Sequence, residues 1–91
     1  MAYIITRITT PDYDTWKESF DKDVPGVRTS STGWQVFRSV ENPNEVFIKV
    51  EFDSKDEANA GRDRLLASGV LDRFEDKHGP TVVEEAETVS R

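Results

Sequence analysis

Seven side chains carry the chemistry this sequence has to offer: His78, Lys49 and Arg38 as candidate catalytic groups, and Trp34, Phe47, Glu51 and Tyr3 as candidate substrate contacts. His78 is the single histidine, and imidazole is the side chain whose ordinary pKa suits proton transfer near neutrality. Arg38, Lys49 and Glu51 sit in segments that read as strands. A charge in mid-strand must face water or find a partner, because desolvating it alone is costly. Pointed into a dimer cavity, Lys49 and Glu51 would bind a carboxylate or phenolate and accept a proton. Trp34 and Trp16 would stack on a flat molecule, although Trp16 sits on a helix stripe where a core role is the plainer reading; Phe47 and Tyr3 complete the candidate contacts. The plainer alternative stands beside this one: Lys49 and Glu51 as an ion pair on a wet sheet, and His78 as a solvated residue of a polar turn before Gly79-Pro80. Arg7 carries the same ambiguity. No Ser–His–acid order, glycine-rich phosphate loop or metal-ligand spacing accompanies these residues, so neither a metal nor another cofactor is expected.

Such residues act only if strands and helices hold them. Tyr3 to Thr9 is rich in β-branched residues and reads as a strand closed by Pro11. Thr10 or Asp12 then caps a helix with Tyr13, Trp16 and Phe20 on one stripe, ending near Asp23, with Val24-Pro25-Gly26 as its stop. Val27 to Thr32 is small and polar, a connecting loop. Gly33 to Val40 reads as a strand with Trp34, Val36, Arg38 and Val40 on one face and Gln35, Phe37 and Ser39 on the other. Glu41-Asn42-Pro43-Asn44 turns it back into an antiparallel strand, Glu45 to Phe52. There Val46, Ile48, Val50 and Phe52 want a dry core, while Phe47, Lys49 and Glu51 suit a partly wet cavity or an interface. Ser54 and Glu57 form a capping box for a second helix whose buried side is Ala58, Gly61, Leu65 and Leu66, ending near Gly69. Val70, Leu71 and Phe74 add a short turn, and Thr81 to Val89 reads as the last strand.

The order β-α-β-β-α-β predicts an α+β domain over residues 1–91 of the ferredoxin-like type: a four-stranded antiparallel sheet with both helices on one face. Its 91 residues fall well inside one domain, and only 35% of them are apolar against 33% charged, so the core is lean. Without cysteine, neither a disulfide nor a thiolate site is available, which leaves oligomerisation as the remedy. The second sheet face is expected to be covered by another copy of the chain, two sheets closing into a homodimeric α+β barrel. A formal charge of −6 with no basic cluster argues against nucleic acid, and no apolar run is long enough for a membrane span or placed as a leader peptide. A cytoplasmic location is the expectation.

Four segments carry a family resemblance: Asp12-Tyr13-Asp14-Thr15-Trp16-Lys17, Gly33-Trp34-Gln35-Val36-Phe37-Arg38, Asn42-Pro43-Asn44-Glu45-Val46, and Glu51-Phe52-Asp53-Ser54. In order and spacing they resemble the dimeric α+β barrel superfamily, in its antibiotic-biosynthesis-monooxygenase-like branch of small stand-alone proteins. The resemblance implies a homodimer whose sheets enclose a pocket in each subunit. It also implies a choice among cofactor-free oxygenases of polyphenolic polyketides, haem degraders and isomerases, which fold alone does not make. Haem degraders carry an Asn on the first strand; here that strand offers Tyr3, Thr6 and Arg7, with only His78 in a matching zone. Quinone-forming oxygenases surround a phenol with Asn, Trp, Tyr and Arg, and Trp34, Tyr3 and Arg38 supply three of those types without a position-by-position match. The expectation is therefore a pocket for a small aromatic or polyketide-like molecule, with cofactor-independent monooxygenase or isomerase chemistry. The alternative is a non-catalytic ligand-binding or stress-associated dimeric module.

Overall fold

A computed structural model describes residues 1–22 and 26–91. The elements run β1 (Ala2–Thr9), α1 (Tyr13–Asp21), a 3-10 turn (Val27–Ser30), β2 (Gly33–Arg38), β3 (Glu45–Phe52), α2 (Lys55–Ser68) and β4 (Lys77–Glu84). The sheet order is β2-β3-β1-β4 with every neighbouring pair antiparallel, the ferredoxin-like arrangement. Strict alternation in the two central strands builds it. Ala2, Ile4, Thr6 and Ile8 of β1 and Val46, Ile48, Val50 and Phe52 of β3 are buried against the helices. Tyr3, Ile5, Arg7, Phe47, Lys49 and Glu51 take the opposite, half-buried face, over which no helix lies among the described residues.

Both helices begin where local chemistry starts them. Asp12 caps α1, its carboxylate accepting from the Thr15 amide at 3.3 Å and the Thr15 hydroxyl at 2.8 Å. Pro11 therefore precedes the cap. Ser54 Oγ accepts from the Glu57 amide at 3.2 Å, as the capping box predicts. The helix α1 ends at Asp21; the expected end near Asp23 and the stop at Val24-Pro25 lie outside the described residues. Its stripe packs as a ladder of rings, with Trp16 and Phe20 stacked at 4.9 Å between centroids.

Four expectations need correcting. The loop after α1 contains a 3-10 turn that buries Arg28 to 8% exposure, because its guanidinium packs on the Phe20 ring. Strand β2 stops at Arg38: the Ser39 amide still bonds the Glu45 carbonyl, but the Glu45 amide turns to the Asn42 carbonyl and the Ser39 hydroxyl accepts from the Asn42 amide, which closes the turn. On α2, Ala58 and Gly61 face the sheet with Leu65 packed partly behind them, and Leu66, one step round the helix, is 55% exposed. Strand β4 starts at Lys77, so His78, Gly79 and Pro80 lie within it and Ala86 and Val89 lie beyond it. A register shift between Ile5 and Arg7 admits the extra residue, and Gly79 at φ 83° passes so near β1 that a Cβ would stand 2.5 Å from the Ile5 carbonyl oxygen.

A charged clamp closes one end of the sheet. Arg7 of β1 donates through Nε to Glu45 of β3 at 2.8 Å and through Nη1 and Nη2 to Asp76, just before β4, at 3.1 and 3.2 Å. The Thr9 hydroxyl adds a bond to Asp76 at 2.9 Å. Hydrogen bonds from Arg7 and then Thr9 hold the Asp76 carboxyl below the usual carboxylate range, and the bond to Asp76 raises Arg7 further.

Two outcomes test this frame. A Cβ on Gly61 would lie 3.0 Å from Phe52 Cζ and 3.3 Å from Ile4 Cδ1, both fully buried. Gly61→Ala gains about 1 kcal/mol of helix propensity and loses about 1–3 kcal/mol to overpacking, so urea unfolding should show a net loss of about 1 kcal/mol. Stabilisation instead would mean that the Phe52 ring yields. Asp76→Asn should melt below the wild type at neutral pH. A carboxyl whose folded pKa is depressed stabilises above its unfolded pKa and loses that contribution as pH falls through the folded one. The gap should therefore begin to close below about pH 4. A gap independent of pH would assign the residue's role to shape alone.

Candidate functional site

The open sheet face arranges its side chains in rows set by strand register. Gln35, Lys49, Ile5 and Thr81 form one row, and Phe37, Phe47, Arg7 and His78 the next. Glu51, Tyr3 and Val83 form a third beside Gly33. Five of the seven sequence-predicted residues, Tyr3, Phe47, Lys49, Glu51 and His78, therefore share this face. Lys49 and Glu51 form no ion pair with each other: Lys49 Nζ stands over the Tyr3 ring at 5.1 Å, and Glu51 accepts from the Thr32 hydroxyl at 2.7 Å. Partial burial first, then the charges of Glu85 and Glu51, push the Tyr3 hydroxyl above its ordinary pKa, so it stays a proton donor. His78 is exposed and lies across β1 from Phe47, directly opposite Arg7.

Trp34 and Arg38 lie on the other face. Their partners in β3 are the buried Val50 and Val46, which turns them toward the helices. The Arg38 guanidinium lies 4.1 Å from the centre of the Tyr13 ring on α1, and its Nε donates to the Pro43 carbonyl at 3.0 Å. Trp34 is half exposed at the sheet edge, with the Arg28 guanidinium 4.9 Å from its ring. The seven residues are thus divided between two surfaces separated by the sheet.

The enclosed volume is elsewhere. A cavity of about 170 Å³ opens between the sheet and the helices, and none of the seven lines it. Ile4, Thr6, Ile48 and Val50 form its floor, and Trp16, Ser19 and Phe20 of α1 with Leu65 of α2 form its roof. The turn after α2 closes one end with Val70, Leu71, Arg73 and Phe74, and Arg28 stands in the wall. Its polar groups are two hydroxyls and two guanidiniums; among the described residues no carboxylate or imidazole lines it. Arg28 is fixed there by several contacts: an Nη2 bond to the Phe20 carbonyl, the Phe20 ring 3.8 Å below it, and a Ser31 hydroxyl bonded to its own carbonyl at 2.7 Å. Two signals in the sequence pointed this way. Thr6 interrupts the apolar row Ile4–Ile8, and Trp16, which the stripe identifies as core, also shapes the cavity.

A second, wetter cleft of about 470 Å³ lies beyond, walled by Thr9, Thr10, Asp12, Thr15, Glu75 and Asp76, and it shares Trp16, Arg73 and Phe74 with the first. Asp12, held by the Thr15 hydroxyl and then its amide, is lowered in pKa as Asp76 is, so both are anions at any ordinary pH. Among the described residues no cluster of three or more His, Cys, Asp or Glu has metal-binding geometry, and no helix is long and apolar enough to cross a membrane.

No protein-family profile matches the chain, and no curated protein matches it significantly. Solved structures do. A candidate antibiotic biosynthesis monooxygenase from Deinococcus radiodurans superposes at a TM-score of 0.72 with 12% identity, covering 100% of this chain and 98% of that one. A protein from Mycobacterium tuberculosis gives 0.68 at 14% identity, with 98% of both chains covered. SnoaB, a cofactor-independent oxygenase from Streptomyces nogalater, gives 0.68 at 11% identity over 99% of this chain and 97% of its own. Identities this low speak to architecture, and the coverage is end to end. The chain has the α+β fold of the antibiotic-biosynthesis-monooxygenase-like proteins.

Proposed function

We propose that this protein binds a small aromatic molecule with an acidic hydroxyl in the cavity between sheet and helices, and that it does so as a homodimer joined through the open sheet face. The observation that carries the binding is an apolar, ring-lined chamber with a fixed guanidinium in its wall. Apolar walls exclude water, and Arg28 supplies the charge that favours a phenolate over a phenol. Size selects further. At about 170 Å³ the chamber is close to the engineered apolar cavity of about 150 Å³ that takes up benzene. It suits one ring rather than the polyketide-like molecule that the family resemblance implies.

Likeness to a cofactor-independent oxygenase supports a finer reading, in which the bound anion is itself the reductant of dioxygen. Conversion of a phenol to a quinone then balances without a cofactor. One oxygen atom becomes the new carbonyl, the other leaves as water with the two hydrogens lost from the substrate, and the substrate supplies the electrons. Arg28 would stabilise the anion at the start of that sequence. Among the described residues no carboxylate or imidazole lines the chamber, which favours the second reading, binding without turnover, for substrates that do not ionise unaided. On the open face, Lys49, Glu51, Tyr3, Phe47 and His78 are assigned to the contact between copies; Trp34 and Arg38 flank the chamber from the sheet edge.

Para-nitrophenol tests the chamber, because its anion absorbs visible light. Bound to the wild type, it should ionise at a pH about one unit or more below its value when bound to Arg28→Met, with Arg28→Lys between them. Equal ionisation in all three would remove Arg28 from the site. Oxygen uptake with an electron-rich phenol separates the oxygenase from the plain binder. The dimer is tested by light scattering on dilution: twice the chain mass should persist, since the open face carries Ile5, Phe37, Phe47 and Val83 together. A monomer would withdraw the barrel.

A further inference from the structure

The chamber and the outer cleft meet at three shared residues, Trp16, Arg73 and Phe74. Two of them belong to the turn between α2 and β4. Gly69, at φ 73°, ends the helix, and two tight backbone bonds then fold the turn: the Asp72 amide to the Gly69 carbonyl and the Phe74 amide to the Leu71 carbonyl, each at 3.1 Å. Turns held by their own short bonds alone open readily. This one is fastened from the sheet as well. Lys77, partly buried at the start of β4, donates its ammonium to the Leu71 carbonyl at 3.0 Å and to the Phe74 carbonyl at 3.2 Å. One cation thus ties down the two residues that bracket the turn, and a charged donor makes each bond stronger than a neutral one.

We propose that Lys77 and Phe74 set the size limit of the binding site: Phe74 is the partition between chamber and cleft, and Lys77 is the latch that keeps the partition closed. This rests on the reading of the chamber as the ligand site. With the latch made, the chamber holds about 170 Å³ and one ring fits. With the turn released, the chamber joins the outer cleft of about 470 Å³. The joined volume takes a fused-ring planar phenol, its hydroxylated edge toward Arg28 in the chamber and its far ring between Trp16 and Phe74 at the mouth of the cleft. Lys77 acts through the turn and touches no ligand, so it is a positioning residue; Phe74 is the specificity determinant.

Two probes and three variants of the full-length protein test this. Calorimetric titration with para-cresol, one ring, and alizarin, a three-ring dihydroxyanthraquinone, is run on wild type, Lys77→Met, Lys77→Arg and Phe74→Ala. A closed state that dominates the wild type taxes any ligand needing the open one. Lys77→Met and Phe74→Ala should therefore bind alizarin roughly tenfold more tightly than wild type, while para-cresol changes by less than about threefold in Lys77→Met, whose side chain lies outside the chamber wall. Lys77→Arg, which keeps the charged donor, should retain the wild-type preference. In the ligand-free protein, amide exchange at Asp72 and Phe74 should speed up by roughly tenfold in Lys77→Met and not in Lys77→Arg. Unchanged alizarin affinity in both Lys77→Met and Phe74→Ala, with para-cresol still bound, would overturn the size limit alone. Unchanged exchange in Lys77→Met would overturn the latch whatever binds. Failure of para-cresol to bind the wild type would overturn the ligand reading beneath both.

Discussion

The constraint on which everything else depends is the period of two in β1 and β3. These are the central strands, paired residue for residue from Ala2 opposite Phe52 to Thr9 opposite Glu45. A slip of one residue would send Ile4, Ile8, Val46 and Phe52 into water and bring Arg7, Lys49 and Glu51 against the helices. No small domain survives that exchange, so the register is fixed. Once it is fixed, each strand has one dry side that calls for helices and one amphipathic side that does not. The approach of α2 then follows from Gly61, which lets the helix backbone rest on Phe52 and Ile4. The remaining space, where α1 stands off the sheet on its Trp16 and Phe20 rings, is the chamber.

How much of this the sequence disclosed depends on how local the cause is. Strand β3, the α1 stripe, the Ser54 cap and the β-α-β-β-α-β order rest on signals a few residues long, and they read directly. The start of β4 did not. Gly79-Pro80 has turn composition, and what keeps it in the strand is the neighbouring β1 backbone and a register shift there, which no window around Gly79 contains. The faces of β2 were separated correctly by alternation, but which face met the helices is decided by pairing Trp34 with Val50. Phe37 would have served as well as Trp34 on periodicity alone. The chamber was the least legible feature. It is made of side chains from both helices, two strands and two turns, and Arg28, in its wall, sits in a segment whose composition announces only a loop.

The location of the charges explains why one fold presents two different surfaces. Arg28 is tolerated at the edge of an apolar chamber because a guanidinium is weakly hydrated and flat. Stacking on Phe20 and bonding to its carbonyl replace much of the water it loses. A lysine ammonium, compact and strongly hydrated, would not be matched by a ring face in the same way. Lys77 makes the converse point. There a partly buried stem ends in a charged donor that meets two backbone carbonyls instead of a ring face, and the bonds themselves replace the water it loses.

The open face carries its own logic for contact with a second copy. Burying an ion costs several kcal/mol unless its partners are already in place. Arg7 meets that condition, since Glu45 and Asp76 occupy its Nε and both terminal nitrogens before any partner arrives. Its row, with Phe37 and Phe47, is therefore ready to be covered. Lys49 differs: it stands over the Tyr3 ring, and Glu51, which lies on the same side of β3, is turned to Thr32. A second copy seated centrally on this face must either bring a carboxylate to Lys49 or leave it at a wet margin. The row of Gln35, Lys49, Ile5 and Thr81 lies between the row of the phenylalanines and that of Glu51, Tyr3 and Val83, so Lys49 is central on this face and the first condition applies to a copy that covers it. The charge that first looked catalytic thus constrains what a second copy would have to place on this face, and Arg28, in the wall of the chamber, is a charge that the alternation of the strands never displayed.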